Sequence, residues 1–412
     1  MSNSNSLLLL VFILVIGEYC LRAISEFLNE RSKNQPLSDE GAEIFSAEEY
    51  AKSLAYGTAK YRFEAFTSLV SIAVILTAVG FGWFAWLDDE IRSRVSNEVA
   101  VSIIFAAVLI IIFTVLNLPG NYYQTFVIEE KFGFNRSTKS LFFQDAIKQL
   151  LLSLIFGLAL FASLAWIYSE LRGQFWLVAW LLFFAISLFM FAFGTRLFLP
   201  IFNKLRPLPE GELRTEVESY CQSQGFPAMK LYEMDASKRS TKLNAFFSGM
   251  GRVKIIGLFD TLIEKLTIEE TVAVLAHEVG HYKRRHIYSM FLLSNLQTLA
   301  IFSLMGWLLG NPNLSKALGG STPSFHLGML GFFLLFTPVS TLLGVVFNAL
   351  SRHNEYEADQ FSIETYADAR VQMHSALKKL ASESLTNLNP HPMYVALNYT
   401  HPPILKRLKA LD

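Results

Sequence analysis

Charge is what this sequence has least of. Only 17% of its 412 residues are Asp, Glu, Lys or Arg, whereas soluble domains carry about 25%. Acidic and basic side chains are equal in number, at 35 each, so no net charge draws the chain to a nucleic acid. The two cysteines, Cys20 and Cys221, lie in an apolar run and in a polar segment, which excludes a disulfide scaffold. These shortages argue against a disordered chain, a nucleic-acid-binding protein and an ordinary soluble enzyme.

Long apolar runs take the place of charge. Hydrophobic residues make up 52% of the chain, and 36 residues are Phe. A helix that crosses a bilayer needs about 20 largely apolar residues. Seven segments qualify: Leu7–Ile24, Ala65–Leu87, Val99–Leu118, Leu150–Tyr168, Phe175–Gly194, Ile287–Leu309 and Leu327–Leu350. No Lys or Arg precedes the first segment and no cleavage pattern follows it, so we interpret it as a retained helix rather than a signal peptide. The sequence predicts a mainly α-helical membrane protein with seven transmembrane helices.

Basic residues predict the orientation of these helices. Of the 35 Lys and Arg residues, 30 lie in the loops after spans one, three and five and in the C-terminal tail. Lys283, Arg284 and Arg285 directly precede span six, and Arg352 directly follows span seven. Because positive charge remains on the cytoplasmic side, we expect the N-terminus outside or lumenal, and the C-terminus and both large polar regions in the cytosol.

The chain divides into four predicted parts. Residues 1–200 hold spans one to five, 201–285 a polar domain, 286–350 spans six and seven, and 351–412 a polar tail. In the polar domain the patterns predict an amphipathic helix at Glu212–Ser223 and two strands, at Met229–Met234 and Val253–Gly257. Between these strands, Asn244–Gly249 is predicted to be an edge strand or its turn.

A metal-binding motif occupies the end of this domain. Thr267 and Glu270 form a capping-box pattern that begins a helix. On that helix His277 and His281 are four residues apart, so both imidazoles project from one face, as two ligands of a tetrahedral Zn²⁺ do. Glu278 is placed to act as general base of a metallopeptidase without being a ligand. The alternative is a histidine pair that is hydrogen-bonded within a helix bundle.

A third ligand is expected just after span seven, where two glutamates compete. Glu355 and Asp359 are four residues apart and share one helix face, whereas Glu357 points about 200° away from Glu355. With Glu355 as ligand, Asp359 is placed to accept the ring N–H of a ligating histidine. Glu357 has no such companion, and its alternative is a solvated acidic face.

The position of the motif suggests where the metal lies. His281 is five residues before span six, and Glu355 is five residues after span seven. If both helices continue across the membrane boundary, the metal lies at the cytosolic interface. A peptide bond is then cut close to the bilayer, which suits substrates held there by a lipid or an apolar segment.

These motifs together resemble the type I CAAX prenyl endopeptidases, integral-membrane gluzincins with seven spanning helices. The resemblance rests on the segment 119–135 (PGNYYQTFVIEEKFGFN), Asn244-Ala245-Phe246, the His277–His281 motif, the E-Y-x-A-D element at Glu355–Asp359, and the tail Tyr399-Thr400-His401-Pro402-Pro403 followed by Arg407. It departs from the family at Asn354, where an aromatic residue is common.

The resemblance implies a water-filled chamber enclosed by the helices, one Zn²⁺ per chain, and Glu355 as third ligand. It also implies that the strand at Asn244, Ala245 and Phe246 aligns the substrate. His401 is our candidate for stabilising the developing oxyanion, and a turn histidine held by the two following prolines is the alternative. The expected partners are the bilayer and a peptide or protein substrate, with prenylated and membrane-anchored substrates among the candidates. The expected location is a bacterial inner membrane or the endoplasmic reticulum.

Two other functions fit parts of the sequence. One is a quality-control metalloprotease of membrane proteins that needs no prenyl group, and cleavage of lipidated against plain peptides separates it from the first. The other is a seven-helix receptor or transporter with structural histidines, which predicts no bound zinc.

Overall fold

The computed structural model of the chain describes residues 3–225, 229–248 and 254–412. The helices of these ranges are α1 Asn3–Ser32, α2 Asp39–Ala42, α3 Ala47–Gly80, α4 Trp83–Arg92, α5 Glu98–Tyr123, α6 Lys139–Leu152, α7 Leu158–Glu170, α8 Phe175–Phe202, α9 Glu212–Ser223, α10 Asp260–Lys265, α11 Ile268–Lys283, α12 His286–Leu309, α13 Asn313–Ala317, α14 Phe325–Thr365, α15 Ala369–Glu383, α16 Pro392–Asn398 and α17 Ile404–Leu411. A π-helical segment, Gln124–Glu129, extends α5, and another, Ser153–Gly157, joins α6 to α7.

Seven of the described helical stretches are long and apolar enough to cross a membrane, as predicted. They are Ser4–Ser32, Ala47–Gly80, Glu98–Glu129, Lys139–Glu170, Arg172–Phe202, His286–Leu309 and Phe325–Thr365. The predicted bounds of span two were wrong. Its helix begins at Ala47. The helix ends at Gly80 because Gly82 adopts a left-handed conformation with φ of 66°. The apolar residues after Gly82 belong to the separate helix α4.

A four-stranded sheet forms the centre of the polar domain. Its strands are β1 Leu205–Pro207, β2 Met229–Met234, β3 Ala245–Ser248 and β4 Lys254–Phe259, in the order β1-β2-β4-β3. The parallel pair is β2 and β4, and the other pairs are antiparallel. The predicted edge strand is β3, which ends the sheet. Val253 and Gly249, which the prediction placed in the fourth strand and in the turn, lie outside the described residues.

Apolar side chains from the sheet and from α9, α10 and α11 form the core of this domain. Val217, Ile256, Leu258, Leu262 and Leu275 are each 2% exposed or less. Burial of one side chain of this size contributes about 1.5–3 kcal/mol to folding. The core therefore fixes α11, the helix that carries the histidine motif, firmly against the sheet.

The two helices that carry the motifs meet the membrane spans differently. The 41-residue helix α14 runs without interruption from Phe325 to Thr365, so Glu355 continues span seven as predicted. Helix α11 ends at Lys283, and Arg285 has a left-handed φ of 62° before α12 begins at His286. A left-handed residue ends a helix and redirects the chain. Helix α14 therefore meets the condition of continuity across the membrane boundary, and the histidine helix α11 does not.

Candidate metal centre

A capping box fixes the start of α11, as predicted from Thr267 and Glu270. The Thr267 N–H donates to Glu270 Oε2 at 2.8 Å, and the Glu270 N–H donates to Thr267 Oγ1 at 3.2 Å. The buried Glu270 carboxylate also accepts from Lys379 Nζ on α15, at 2.7 Å. Burial raises the pKa of Glu270, but the hydrogen bonds from Lys379, Ser375 and Thr267 lower it below its usual value. The ionised carboxylate thus joins α11 to α15.

The close approach of α11 to α14 depends on the glycine of the motif. A Cβ atom at Gly280 would lie only 3.1 Å from the Cα and carbonyl oxygen of Ala358 and from Cβ of Phe361. Because both helix backbones are fixed there, a larger residue would push them apart. Gly280 precedes His281, and Ala358 lies between Glu355 and Asp359, so this contact brings the two motifs together.

Three side chains converge at the contact between these helices. His277 Nε2 lies 3.2 Å from His281 Nε2 and 3.4 Å from Glu355 Oε2, and His281 Nε2 lies 3.3 Å from Glu355 Oε1. Within the described residues they form the one group of three or more potential ligands, whose ligand atoms all lie within 4.8 Å of one another. The structure therefore brings together the predicted ligand set.

The spacing of these atoms fits a tetrahedral ion. Zn²⁺ binds histidine nitrogen and carboxylate oxygen at about 2.0–2.1 Å, which places neighbouring ligand atoms of a tetrahedron about 3.3–3.4 Å apart. The observed separations of 3.2–3.4 Å match this value. In the described part of the chain, Glu355 Oε2 is buried and accepts no hydrogen bond. A buried polar oxygen without a donor is costly, and a cation would satisfy it.

The ion pair of Asp359 and Arg407 contacts the Nδ1 side of His277. Asp359 Oδ1 lies 2.7 Å from His277 Nδ1, and both oxygens of Asp359 accept from the buried Arg407, at 2.6 and 2.9 Å. Burial lowers the pKa of His277, but the neighbouring carboxylates of Asp359 and Glu355 raise it to about 9. This rise reflects negative charge around the ring, which favours a cation at the free Nε2.

Glu357, the competing glutamate, faces a different histidine. Its Oε2 lies 2.8 Å from His286 Nε2, and its Oε1 lies 3.4 Å from the exposed His353. His286 Nδ1 in turn lies 3.1 Å from His281 Nδ1. Glu357 is thus separated from the ligand cluster by the buried His286 ring, and it is connected to His281 through that ring.

Glu278 and His401 lie at the accessible side of the cluster. Glu278 is half-buried, and no hydrogen bond engages its carboxylate within the ranges that the structure describes. His401 follows α16, and its Nε2 lies 3.4 Å from Glu355 Oε1. The side chain of His401 is 65% exposed, so its ring is open to a substrate.

The predicted substrate strand is a sheet edge. Ala245 and Phe246 on β3 pair with Leu258 and Gly257 of β4, which leaves the other side of β3 without a strand among the described residues. The exposed Asn244 precedes β3, and its carbonyl accepts from the Phe259 N–H at 3.1 Å. Strand β3 also contacts α11. An extended peptide that adds to this edge would therefore lie beside the histidine helix.

Sequence reasoning gave no role to two residues of this site. Arg407 is 48 positions from its partner Asp359, and no helical spacing relates them; its place after the tail motif was the only signal. His286 belongs to none of the sequence motifs, but it is buried against His281. The left-handed residue Arg285 separates His286 from the helix of His281, so helix periodicity does not predict the contact between the two rings.

Two family models together match nearly the whole chain. Residues 27–204 match the CAAX prenyl protease N-terminal model, which comprises five membrane helices. Residues 207–412 match the model of peptidase family M48.

Alignments with similar proteins span most of this chain and most of each relative. CAAX prenyl protease 1 homolog of Arabidopsis thaliana is 34% identical over 380 residues, which are 90% of this chain and 88% of the relative. CAAX prenyl protease 1 of Saccharomyces cerevisiae is 32% identical over 391 residues, 89% and 86% of the two chains.

The crystal structure of S. mikatae Ste24p is similar in fold. It superposes with a TM-score of 0.90 at 30% identity, over 98% of this chain and 99% of that one. The predicted resemblance and fold class, seven membrane helices that enclose a chamber and carry a small α+β domain, are confirmed by these matches.

Proposed function

Because this chain belongs to peptidase family M48 and carries the five-helix N-terminal domain of the CAAX prenyl proteases, we propose that His277, His281 and Glu355 bind one Zn²⁺ that serves peptide hydrolysis. The chain is an integral-membrane metalloendopeptidase that resembles the CAAX prenyl proteases. The observation that carries the proposal is the convergence of the three ligand atoms within 4.8 Å.

The donor set favours zinc among the divalent metals. Two imidazoles and one carboxylate, with a fourth position open, are typical of hydrolytic zinc sites. When bound, the ion polarises the scissile carbonyl and makes a water molecule a better nucleophile. Asp359, held by Arg407, keeps the proton of His277 on Nδ1, so that Nε2 is free for the metal.

Glu278 is the proposed general base. It follows His277 on α11, and no hydrogen bond occupies its carboxylate in the described ranges. The carboxylate accepts a proton from the attacking water and donates it to the leaving amine nitrogen. His401, exposed beside Glu355, donates from its ring to the oxyanion that develops on the carbonyl oxygen.

The edge of β3 is the proposed substrate-binding strand. The main-chain groups of Ala245 face away from β4 and hydrogen-bond an extended peptide, whereas Asn244 and Phe246, whose main-chain groups face β4, contact it with their side chains. Main-chain hydrogen bonds give affinity without specifying side chains. The substrate class must then come from the membrane location of the site.

We propose that the substrates are membrane-associated peptides or proteins, cleaved after a prenylated cysteine where the host cell makes one. The names of the relatives support this specificity. We place the metal site at the cytosolic face of the endoplasmic reticulum or of a bacterial inner membrane, with the N-terminus on the other side, from the distribution of Lys and Arg.

The test replaces Glu278 with Gln and leaves the ligands in place. Glu278→Gln should retain one zinc per chain and lose at least about 10³-fold in cleavage rate, because general acid–base catalysis contributes up to about 10⁴-fold. Glu364→Gln, an exposed change on α14, is the matched control with full activity.

A farnesylated CAAX peptide and its unlipidated form are compared in the same assay. Preference for the farnesylated peptide supports the prenyl specificity, and equal rates support membrane-protein quality control instead. Full activity of Glu278→Gln would contradict the mechanism for either substrate.

A further inference from the structure

A second cavity lies where span five leaves the membrane, and the metal site does not use it. It encloses about 650 Å³ between the end of α8 and the strands β1, β2 and β4. Four of its lining residues are basic: Arg196, Lys204, Arg206 and Lys230. Thr195, Pro200 and Tyr232 also line it, and none of the described lining residues is acidic.

We propose that this basic cavity binds the phosphate headgroup of an anionic phospholipid from the surrounding bilayer. The site lies outside the catalytic machinery, and the proposal does not depend on which metal or substrate the enzyme uses.

The cations of the cavity are available for an anion. Within the described residues, none of the four forms an ion pair, and all four are exposed. Nearby acids are engaged elsewhere. Asp145 on α6 is bound by Arg239 at 2.9 Å and faces Lys148 at 3.7 Å.

Two acidic residues lie close to the basic residues of the cavity, Glu233 on β2 and Asp235 just after it, and neither forms an ion pair with them in the described structure. Asp235 accepts from the backbone N–H of Lys204 at 2.6 Å rather than from its side chain. Glu233 lies opposite Arg206 in the β1–β2 pairing without forming an ion pair in the described structure. Four like charges around one cavity repel each other, and an anion between them removes that repulsion.

The surroundings of the cavity favour a lipid over free phosphate. Arg196 lies on α8, six residues before the helix ends at Phe202. Phe193 and Leu197, on the same helix, are 46% and 49% exposed and offer apolar surface for acyl chains. Basic pockets beside membrane helices bind anionic headgroups, and the guanidinium fork of arginine matches phosphate oxygens.

A bound lipid would connect the membrane helices to the sheet. Arg196 belongs to span five, whereas Arg206 and Lys230 belong to β1 and β2. Because β2 pairs with β4, and β4 with the edge strand β3, the headgroup joins the membrane domain to the sheet that carries the proposed substrate edge. Because the lipid would bind the folded protein and not the unfolded chain, it would also raise the unfolding temperature.

The experiment measures lipid selectivity of the full-length protein in phosphatidylcholine nanodiscs. Energy transfer from the protein's tryptophans to pyrene-labelled phosphatidylglycerol is compared with transfer to pyrene-labelled phosphatidylcholine. The wild-type protein should prefer phosphatidylglycerol by about tenfold or more. The variant R196Q/K204Q/R206Q/K230Q should lose the preference to within about twofold. Phosphatidylglycerol should raise the unfolding temperature of the wild type but not of this variant.

A matched control removes four other exposed cations: R31Q/K52Q/K238Q/K409Q. It has the same net charge as the site variant and should keep the wild-type preference. Zinc content and unfolding temperature without phosphatidylglycerol report whether each variant folds. If the site variant does not fold, K204Q/K230Q replaces it, with an expected loss of about threefold in preference.

Several results would overturn the proposal. One is an unchanged lipid preference in the site variant, and another is an equal loss in both quadruple variants, which would indicate general surface charge. Displacement of the labelled lipid by soluble glycerophosphoglycerol at equal concentration would indicate a free-phosphate site. Displacement by a farnesylated peptide would assign the cavity to the substrate.

Discussion

Two buried histidines in this molecule, His277 and His326, face buried aspartates at nearly the same distance but differ in what their second nitrogen meets. His277 Nδ1 lies 2.7 Å from Asp359, and its Nε2 points at His281 and Glu355. His326 Nε2 lies 2.8 Å from Asp88, and its Nδ1 lies 3.0 Å from Ser102 Oγ. The Nε2 of His277 converges with the other proposed ligand atoms, whereas each nitrogen of His326 has a protein hydrogen-bonding partner.

The difference separates a proposed metal ligand from a structural histidine. A carboxylate partner orients either ring, so an Asp–His contact alone does not distinguish them. His326 joins α4, α5 and α14, and its ring also packs on Phe105 with centroids 4.5 Å apart. His277 has a second histidine one helical turn away and a glutamate on the facing helix. The comparison predicts that one histidine serves chemistry and the other serves stability.

The largest expected effect is that of His277→Ala. Removing this ligand should lower bound zinc below about 0.1 per chain and cleavage by at least about 10³-fold, because the ion provides several kcal/mol of transition-state stabilisation. Metal analysis and a peptide-cleavage assay on the same preparation check this. His353→Ala, an exposed change on α14, is the control with normal zinc and activity. A stoichiometric metal content in His277→Ala would remove the contrast between the two histidines.

The next effect is that of His326→Ala, with the opposite signature. The change removes the imidazole between Asp88 and Ser102. Asp88 keeps its ion pair with Arg92 at 2.7 Å, but the loss of a buried hydrogen-bond partner costs about 1–3 kcal/mol. We expect a loss of about 2 kcal/mol in unfolding free energy and one zinc per chain in the folded fraction. Denaturant titration measures the first and metal analysis the second, while His353→Ala should change stability by less than about 0.5 kcal/mol. Loss of zinc from folded His326→Ala would contradict the comparison.

A smaller effect is expected from Asp359→Asn, which tests the feature that the two histidines share. The asparagine weakens the contacts to His277 and Arg407 but leaves all three ligands. Metal affinity should fall about 10–100-fold, as for other partners of metal-bound histidines. Competition with a chelator of known affinity measures it, and Glu364→Gln, farther along the same helix, should match the wild type. Unchanged affinity would show that Asp359 does not orient the ring.

Local patterns predicted what depends on local structure. The capping box, the helix Glu212–Ser223 and the strand Met229–Met234 occur as predicted, because each depends on neighbouring residues. The four-residue spacing of Glu355 and Asp359 also predicted which face of α14 contacts His277 and His281.

Contacts between distant segments were beyond such patterns. The position of Arg407 depends on how α17 folds back against α14. The contact of His286 with His281 depends on the left-handed turn at Arg285, and the end of span two depends on a similar turn at Gly82. No periodicity encodes these backbone conformations. The exposed His353 has the same spacing from Glu357 as Glu355 has from Asp359, yet of these two pairs the second lies at the proposed metal site.

The zinc content of Glu355→Ala beside that of Glu357→Ala tests the ligand assignment most directly. The two glutamates lie two residues apart on α14, and only Glu355 reaches both histidines of the motif. Purified wild-type protein and Glu357→Ala should each contain one zinc per chain, and Glu355→Ala should contain almost none. One zinc per chain in Glu355→Ala, or its loss from Glu357→Ala alone, would contradict the proposed metal centre.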